Sequence, residues 1–371
     1  MDFSLSPEQE QLRDSVDRFA RERASFAAWR ALTAAKRPYD VENWRRTAEL
    51  GWLAVAVPEE DGGLGGSPVD TMLIMEGIGR GLALEPYVGA CVIAPVMLPG
   101  MGAALRETLA AGIASGDTVV ALAEAEQGAR FDLSHVETRA SPAADGFVLS
   151  GEKIHVIDGA TADRFIVSAR ASDGIVLCMV PADAAGLTRT SLRAPDHRHN
   201  SRLRFNNVAV PAAHVVAGGL DLLERAVDHA IAARLAEALG AMDAARDLTL
   251  EYLKTRQQFG VPIGSFQALQ HRMVDVAIAC EEARAMTYQA TMQLGAPRRQ
   301  RRRAVSAAKA RVGQNALFVG HQAVQLHGGI GTSDELAVPH YLKRLLMIDL
   351  AYGNADYHRG LFAIAEDSLA A

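Results

Sequence analysis

Residues Arg256 to Asp275 read RQQFGVPIGSFQALQHRMVD, and the rest of the chain is read outward from them. Before them, a proline-free, alanine-rich run from Ala226 to Thr255 repeats small and apolar residues at helical spacing, among them Ala230, Leu235, Met242 and Tyr252. Phe259-Gly260-Val261-Pro262-Ile263-Gly264 then breaks the helix. Ser265 is placed to cap a second helix opened by Gln267, Leu269, His271 and Met273. An arginine therefore ends one helix, two glutamines and a phenylalanine turn the corner, and Gln267 starts the next. An arginine fork pairs with a diphosphate, and a helix start offers N–H groups to an anion. The same pattern equally suits a plain helix–helix corner with a solvated arginine.

The bounds are those of an ordinary globular chain. It has 371 residues, 49% hydrophobic and 22% charged, room for two or three domains. A net charge of -6 argues against nucleic acid or an anionic membrane as partner. Cys91, Cys178 and Cys280 match neither a zinc spacing nor a disulfide framework, so no metal and a reducing, cytoplasmic setting are expected. The acidic start MDFSLSPEQEQLRDSV is not expected to be a signal peptide. No apolar run reaches the ~18 residues of a membrane span.

In chain order, Ser6-Pro7-Glu8 opens a first helix with an apolar face at Leu12, Val16, Phe19 and Ala20. A second helix is expected from about Tyr39 to Leu50, then a glycine- and proline-rich loop from Pro58 to Pro68, then an apolar helix carrying Glu76. From Thr118 the character changes to short strands: Val119–Ala123, a hairpin over Gly146–Gly159, Phe165–Ala169, Gly174–Val180 and Arg202–Phe205, closed by Pro211. From about Asp221 the chain is helical again, including a helix from near Ala304 that ends at Gln325-Leu326-His327-Gly328-Gly329-Ile330-Gly331-Thr332. Paired glycines let a backbone approach a ligand, and they also simply stop helices. The basic run Pro297–Arg303 reads as a solvated helix start or loop.

Arg256-x-x-Phe259-Gly260-x-Pro262-Ile263-x-x-Phe266-Gln267 resembles the flavin-contacting corner of the acyl-CoA dehydrogenase superfamily. The resemblance extends over nearly the whole chain. It includes Val57-Pro58-Glu59-Glu60 with the glycines after it, Asp145-Gly146 through Lys153, and Gln325-x-x-Gly328-Gly329-x-Gly331. It implies an α+β fold with a helical domain at 1–117, a middle β-barrel or sandwich at 118–218 and a four-helix bundle at 219–371. It implies FAD as cofactor, with Arg256, Phe259, Gln267, Gln325, Gly328 and Gly329 on the adenosine-diphosphate end and Leu122, His155 and Asn354 as further contacts. The isoalloxazine end would lie in a neighbouring subunit, in a homodimer, homotetramer or heterotetramer with a related chain. Substrate and acceptor would be an acyl-CoA thioester and an electron-transfer flavoprotein or similar protein.

The departures concern the chemistry. A carboxylate must take a proton from Cα while a hydride leaves Cβ. Alignment from Gln325 puts Tyr352 at the usual glutamate position, and the alternative position falls on Ala230. Tyrosine, with a reference pKa of about 10, is a poor base. The nearby carboxylates Glu237, Asp349 and Asp356 are weak candidates. The family's flavin-side run Thr-Glu-Pro-x-x-Gly-Ser-Asp appears as Ala123–Arg130, without the hydroxyls, and His155 replaces a tryptophan. Three readings follow: an acyl-CoA dehydrogenase with an atypical base, a half-site subunit of a heteromeric dehydrogenase, or a flavin-binding lyase or scaffold.

Overall fold

The computed structural model describes residues 4–367. Its elements run helical, then β, then helical, the mixed α+β order expected. The first part holds α1 (Pro7–Arg23), α2 (Phe26–Ala34), α3 (Val41–Glu49) and α4 (Pro68–Arg80). A π-turn then leads into α5 (Ala94–Met97), followed by α6 (Ala103–Ser115). Ser6 and Gln9 form the reciprocal cap that starts α1, and the Asp40 carboxylate caps α3 by accepting from Glu42 and Asn43 N–H.

The chain's contacts fall into two compact units that interleave in sequence. One combines the chain up to Ala31, Met72–Ala83 and everything from Ile231 onward. The other combines Leu32–Thr71 with Leu84–Ala230.

The second unit is built on an eight-stranded sheet: β1 (Val120–Ala123), β2 (Arg139–Pro142), β3 (Phe147–Val156), β4 (Arg164–Ala171), β5 (Gly174–Pro181), β6 (Leu187–Arg193), β7 (His199–Val210) and β8 (Val215–Val216). The spatial order is β6-β7-β3-β2-β4-β5-β8, with β1 parallel to β4. The hairpin expected over Gly146–Gly159 is instead one long strand, β3, paired with β2 on one side and β7 on the other. Alternation over ten residues fits a strand as well as two half-strands, and Ser150-Gly151, a pair that often marks a turn, here serves a bulge. Two bulges, between Leu149 and Gly151 and between Lys153 and Val156, bend it. The strands also run past Pro211, because β8 adds to β5.

The first unit is helical. Its core is formed by α7 (Gly219–Thr255, from Ile231 onward), α8 (Gln267–Met292), α9 (Arg298–His327), α10 (Val338–Leu350) and α11 (Ala355–Asp367), with α9 packed against α8, α10 and α11. The basic run starts α9 at Arg298, six residues before the expected point, and Arg301 is buried. The end of α4 crosses α7 at backbone contact: a Cβ on Gly79 would lie 1.9 Å from the Glu237 carbonyl oxygen, and one on Gly240 1.9 Å from that of Glu76. Only glycine permits that approach.

Candidate functional site

The corner after α7 is drawn tight by main-chain bonds. Arg256 N–H donates to Tyr252 O, and Ile263 N–H donates to Arg256 O, both at 2.8 Å. Between them β9 (Gln257–Gln258) pairs with β10 (Val261–Pro262) across Phe259 and Gly260. Phe259 has φ 54 and is 92% exposed, its ring edge-on to Phe266 at 6.1 Å. An aromatic held in the left-handed region and left in solvent is costly on both counts. Ser265 does not cap α8: its hydroxyl donates to Pro262 O, and Phe266 occupies the cap position with no side-chain bond. The first-turn N–H groups of α8 thus have no capping side chain.

A second turn joins this corner. The His327 ring, just before Gly328, stacks on Tyr252, one helical turn before Arg256, at 4.3 Å. His327 Nδ1–H donates to Ala323 O at 2.8 Å, which orients the ring. Arg272 Nε donates to Gln322 Oε1 at 2.7 Å, tying the start of α8 to α9. The Arg256 corner and the Gly328–Gly329 turn therefore lie at one end of the helical unit. Gly328 has φ 65, and a Cβ on either glycine would meet open space. Arg256, Gln267 and Gln325 are exposed, and their side chains make no hydrogen bond or ion pair with other described residues. An unspent guanidinium, two unspent amides, an uncapped helix start and two bare glycines suit a diphosphate and its ribose. The residues that the resemblance assigns to the adenosine-diphosphate end lie on this corner and this turn.

In the β unit the expected contacts are less open. Leu122 lies in β1, paired with Ile166 of β4, and is 3% exposed, main chain included. His155 is exposed at φ 54, turned out by the second bulge of β3. At the end of β1, Ala123 is buried and hydroxyl-free. Glu126 is spent on buried Lys153 at 2.6 Å and on Thr138 N–H at 3.0 Å. Burial pushes the neighbouring Glu124 carboxyl up to about 7.

The candidate bases all have other work. Glu237 is fully buried between Arg234 and Arg344, at 2.6 Å from each. Arg344 also donates to the carbonyls of Ala83 at 3.0 Å and Leu82 at 3.4 Å. A carboxylate held by two guanidiniums is poorly disposed to take a proton. Asp356 is an exposed first-turn residue of α11 paired with Arg359 at 2.9 Å, a helix-end ion pair. Asp349 is buried, and its Oδ1 accepts from Ala355 N–H at 3.1 Å.

Between α10 and α11, residues Ala351, Tyr352, Gly353 and Asn354 contain no carboxylate. Tyr352 sits at φ 57 and Gly353 at φ 114. Asn354 caps α11, its Oδ1 accepting from Tyr357 N–H at 3.0 Å, so its side-chain oxygen is engaged within the chain. A buried polar layer carries the turn. His358 Nε2–H donates to Tyr352 O at 3.0 Å, and Ser306 Oγ lies 3.2 Å from its Nδ1. Lys309 Nζ donates to Ile348 O. Burial pushes His358 down to about 3 and Lys309 down to about 7. None of this layer was expected from sequence, because a lone lysine or histidine inside a helical pattern gives no sign of what it faces. Among the described residues, no group of three or more His, Cys, Asp or Glu side chains could hold a metal, and no helix is long and apolar enough to cross a membrane.

Comparison with known proteins covers the same ground. Family models described as acyl-CoA dehydrogenase N-terminal, middle and C-terminal domain match residues 6–117, 121–208 and 217–365. The acyl-CoA dehydrogenase IpdE2 of Mycolicibacterium smegmatis is 31% identical over 92% of this chain and 93% of its own. The ChsE4–ChsE5 complex from Mycobacterium tuberculosis contains a chain 27% identical with TM-score 0.90, and the Tcur3481–Tcur3483 steroid ACAD one 29% identical with TM-score 0.90. Each match covers 98% of both chains.

Proposed function

The chain belongs to the acyl-CoA dehydrogenase family, and from that premise we propose that it is one subunit of a two-chain, flavin-dependent acyl-CoA dehydrogenase. In this reading it supplies the adenosine-diphosphate end of the FAD site and no catalytic base. The cofactor is FAD, which when bound accepts the hydride leaving Cβ. Arg256 pairs with the diphosphate, the bare glycines 328 and 329 admit it to the backbone, and Gln267 and Gln325 bond the sugar and phosphate oxygens. Phe259 covers the adenine side. The helical domain 1–117, β domain 118–218 and bundle 219–371 are the assignment that goes with this reading.

The carrying observation is the turn from Ala351 to Asn354, which has no carboxylate, together with Glu237 locked between two arginines. The two-chain form is supported by the ChsE4–ChsE5 and Tcur3481–Tcur3483 relatives, which are complexes of two named chains. The steroid assignment of the second supports a bulky, ring-bearing acyl group as substrate class. An electron-transfer flavoprotein is the acceptor in this reading.

The test is steady-state turnover of short, branched and ring-bearing acyl-CoA thioesters with an artificial electron acceptor. The purified chain alone is expected to be nearly inactive. Loss of a general base costs about 10²–10⁴-fold. Co-expression with a related chain that carries the missing glutamate restores turnover. Robust turnover by the single chain, abolished by Asp356→Asn or Asp349→Asn, overturns the half-site reading.

A further inference from the structure

Glu76 stands apart among the carboxylates of the helical unit. It lies on α4 at the glycine crossing with α7 and is half-buried; its Oε1 is sealed from solvent and has no hydrogen-bond partner among the described residues. The cations nearby are committed elsewhere. Arg284 of α8 lies 2.7 Å from Asp243 Oδ2, and Arg246 of α7 is 2.9 Å from Asp243 Oδ1 and 2.8 Å from Asp247. Arg80 of α4 reaches Asp243 at 3.6 Å and Asp247 at 3.8 Å. Asp17 of α1 adds a like charge, and Tyr288 of α8, bonded to Arg284, feels the charge of Glu76. Three arginines thus converge on Asp243, while among the described residues Glu76 forms no ion pair. Backbone contact through Gly240 keeps α4 from shifting to relieve it. A charged carboxylate so placed is expensive, and the acid is not.

We propose that Glu76 is a proton-binding site of the helical unit, and that loss of its proton draws Arg284 from Asp243 toward α4. Burial, opposed most by Arg284, sets its carboxyl at about 7, so the exchange falls in the neutral range. Because α7 and α8 flank the Arg256 corner, proton release weakens the α7–α8 tie along the same two helices. The inference rests on the helical unit alone and stands whether or not the half-site reading holds.

Infrared titration of the full chain in deuterated buffer, from about pH 5 to about 9, follows the carboxylic-acid C=O band. Glu85 and Glu124 are also held at about 7 by burial, so wild type minus Glu76→Gln isolates the one group. The expected difference band disappears with a midpoint near 7. Arg284→Gln, at a partly exposed position, removes the main cation facing Glu76, so its titration should retain the acid band to higher pH than wild type. Superimposable wild-type and Glu76→Gln titrations overturn the proposal, as does an unmoved midpoint in Arg284→Gln. The arginine variant decides the matter even if Glu76→Gln does not fold.

Discussion

Arg256 is a side chain that costs the free protein little and does nothing for it: exposed, with no hydrogen bond or ion pair among the described residues. Arg256→Ala is therefore expected to leave the melting temperature within the range of a neutral surface change while FAD binding weakens by roughly ten- to a hundredfold, the worth of a charged hydrogen bond. A thermal melt of the flavin-free chain and a fluorescence titration with FAD read the two effects separately. Phe259 separates them further. Its left-handed backbone and exposed ring are both unfavourable without a ligand. Phe259→Gly should raise thermal stability by about 1 kcal/mol and lower flavin affinity. A variant that loses stability instead would mean that the ring packs on something within the chain.

Helices α7, α10 and α11 hold the candidate bases in other contacts. Glu237 joins α7 to α10 through Arg344. Glu237→Gln should cost about 3–5 kcal/mol, because it leaves buried guanidiniums uncompensated, and the loss appears in a melt without any substrate present. The α10–α11 turn has its own pH signature. A histidine held down at about 3 binds no proton in the folded state while the unfolded chain, near 6.5, does. Stability from this group is complete above about 6.5 and drains away as pH falls toward 3. His358→Leu should shallow acid unfolding in that window, at a cost of about 1–3 kcal/mol near neutrality for the Tyr352 carbonyl left without its donor. Much of this architecture was legible in the residues. Ser6 and Pro7 announce their helix, and the Arg-x-x-Phe-Gly and Gly-Gly motifs mark two turns at one end of the helical unit. What escaped was non-local. The pairing of β3 with β7 decides that residues 147–156 form one strand, and Arg344 for Glu237, Ile348 for Lys309 and Ser306 for His358 come from other helices far along the chain.

Across the whole molecule, compactness ignores sequence order. The chain up to Ala31 and the segment Met72–Ala83 belong with the helices after Ile231. Limited proteolysis within the β unit is thus expected to leave the N-terminal helices bound to the C-terminal ones, and recovery of a free fragment ending near residue 117 would contradict it. The same feature has a consequence during synthesis. Tyr341 bonds the Arg80 carbonyl and Arg344 the Ala83 carbonyl, each across 261 residues. At about 5–20 residues per second a ribosome needs roughly 15–50 s to deliver those partners. For that interval α1 and the end of α4 have left the exit tunnel with their apolar faces uncovered. The burden of keeping them from aggregating falls on nascent-chain chaperones rather than on the finished fold.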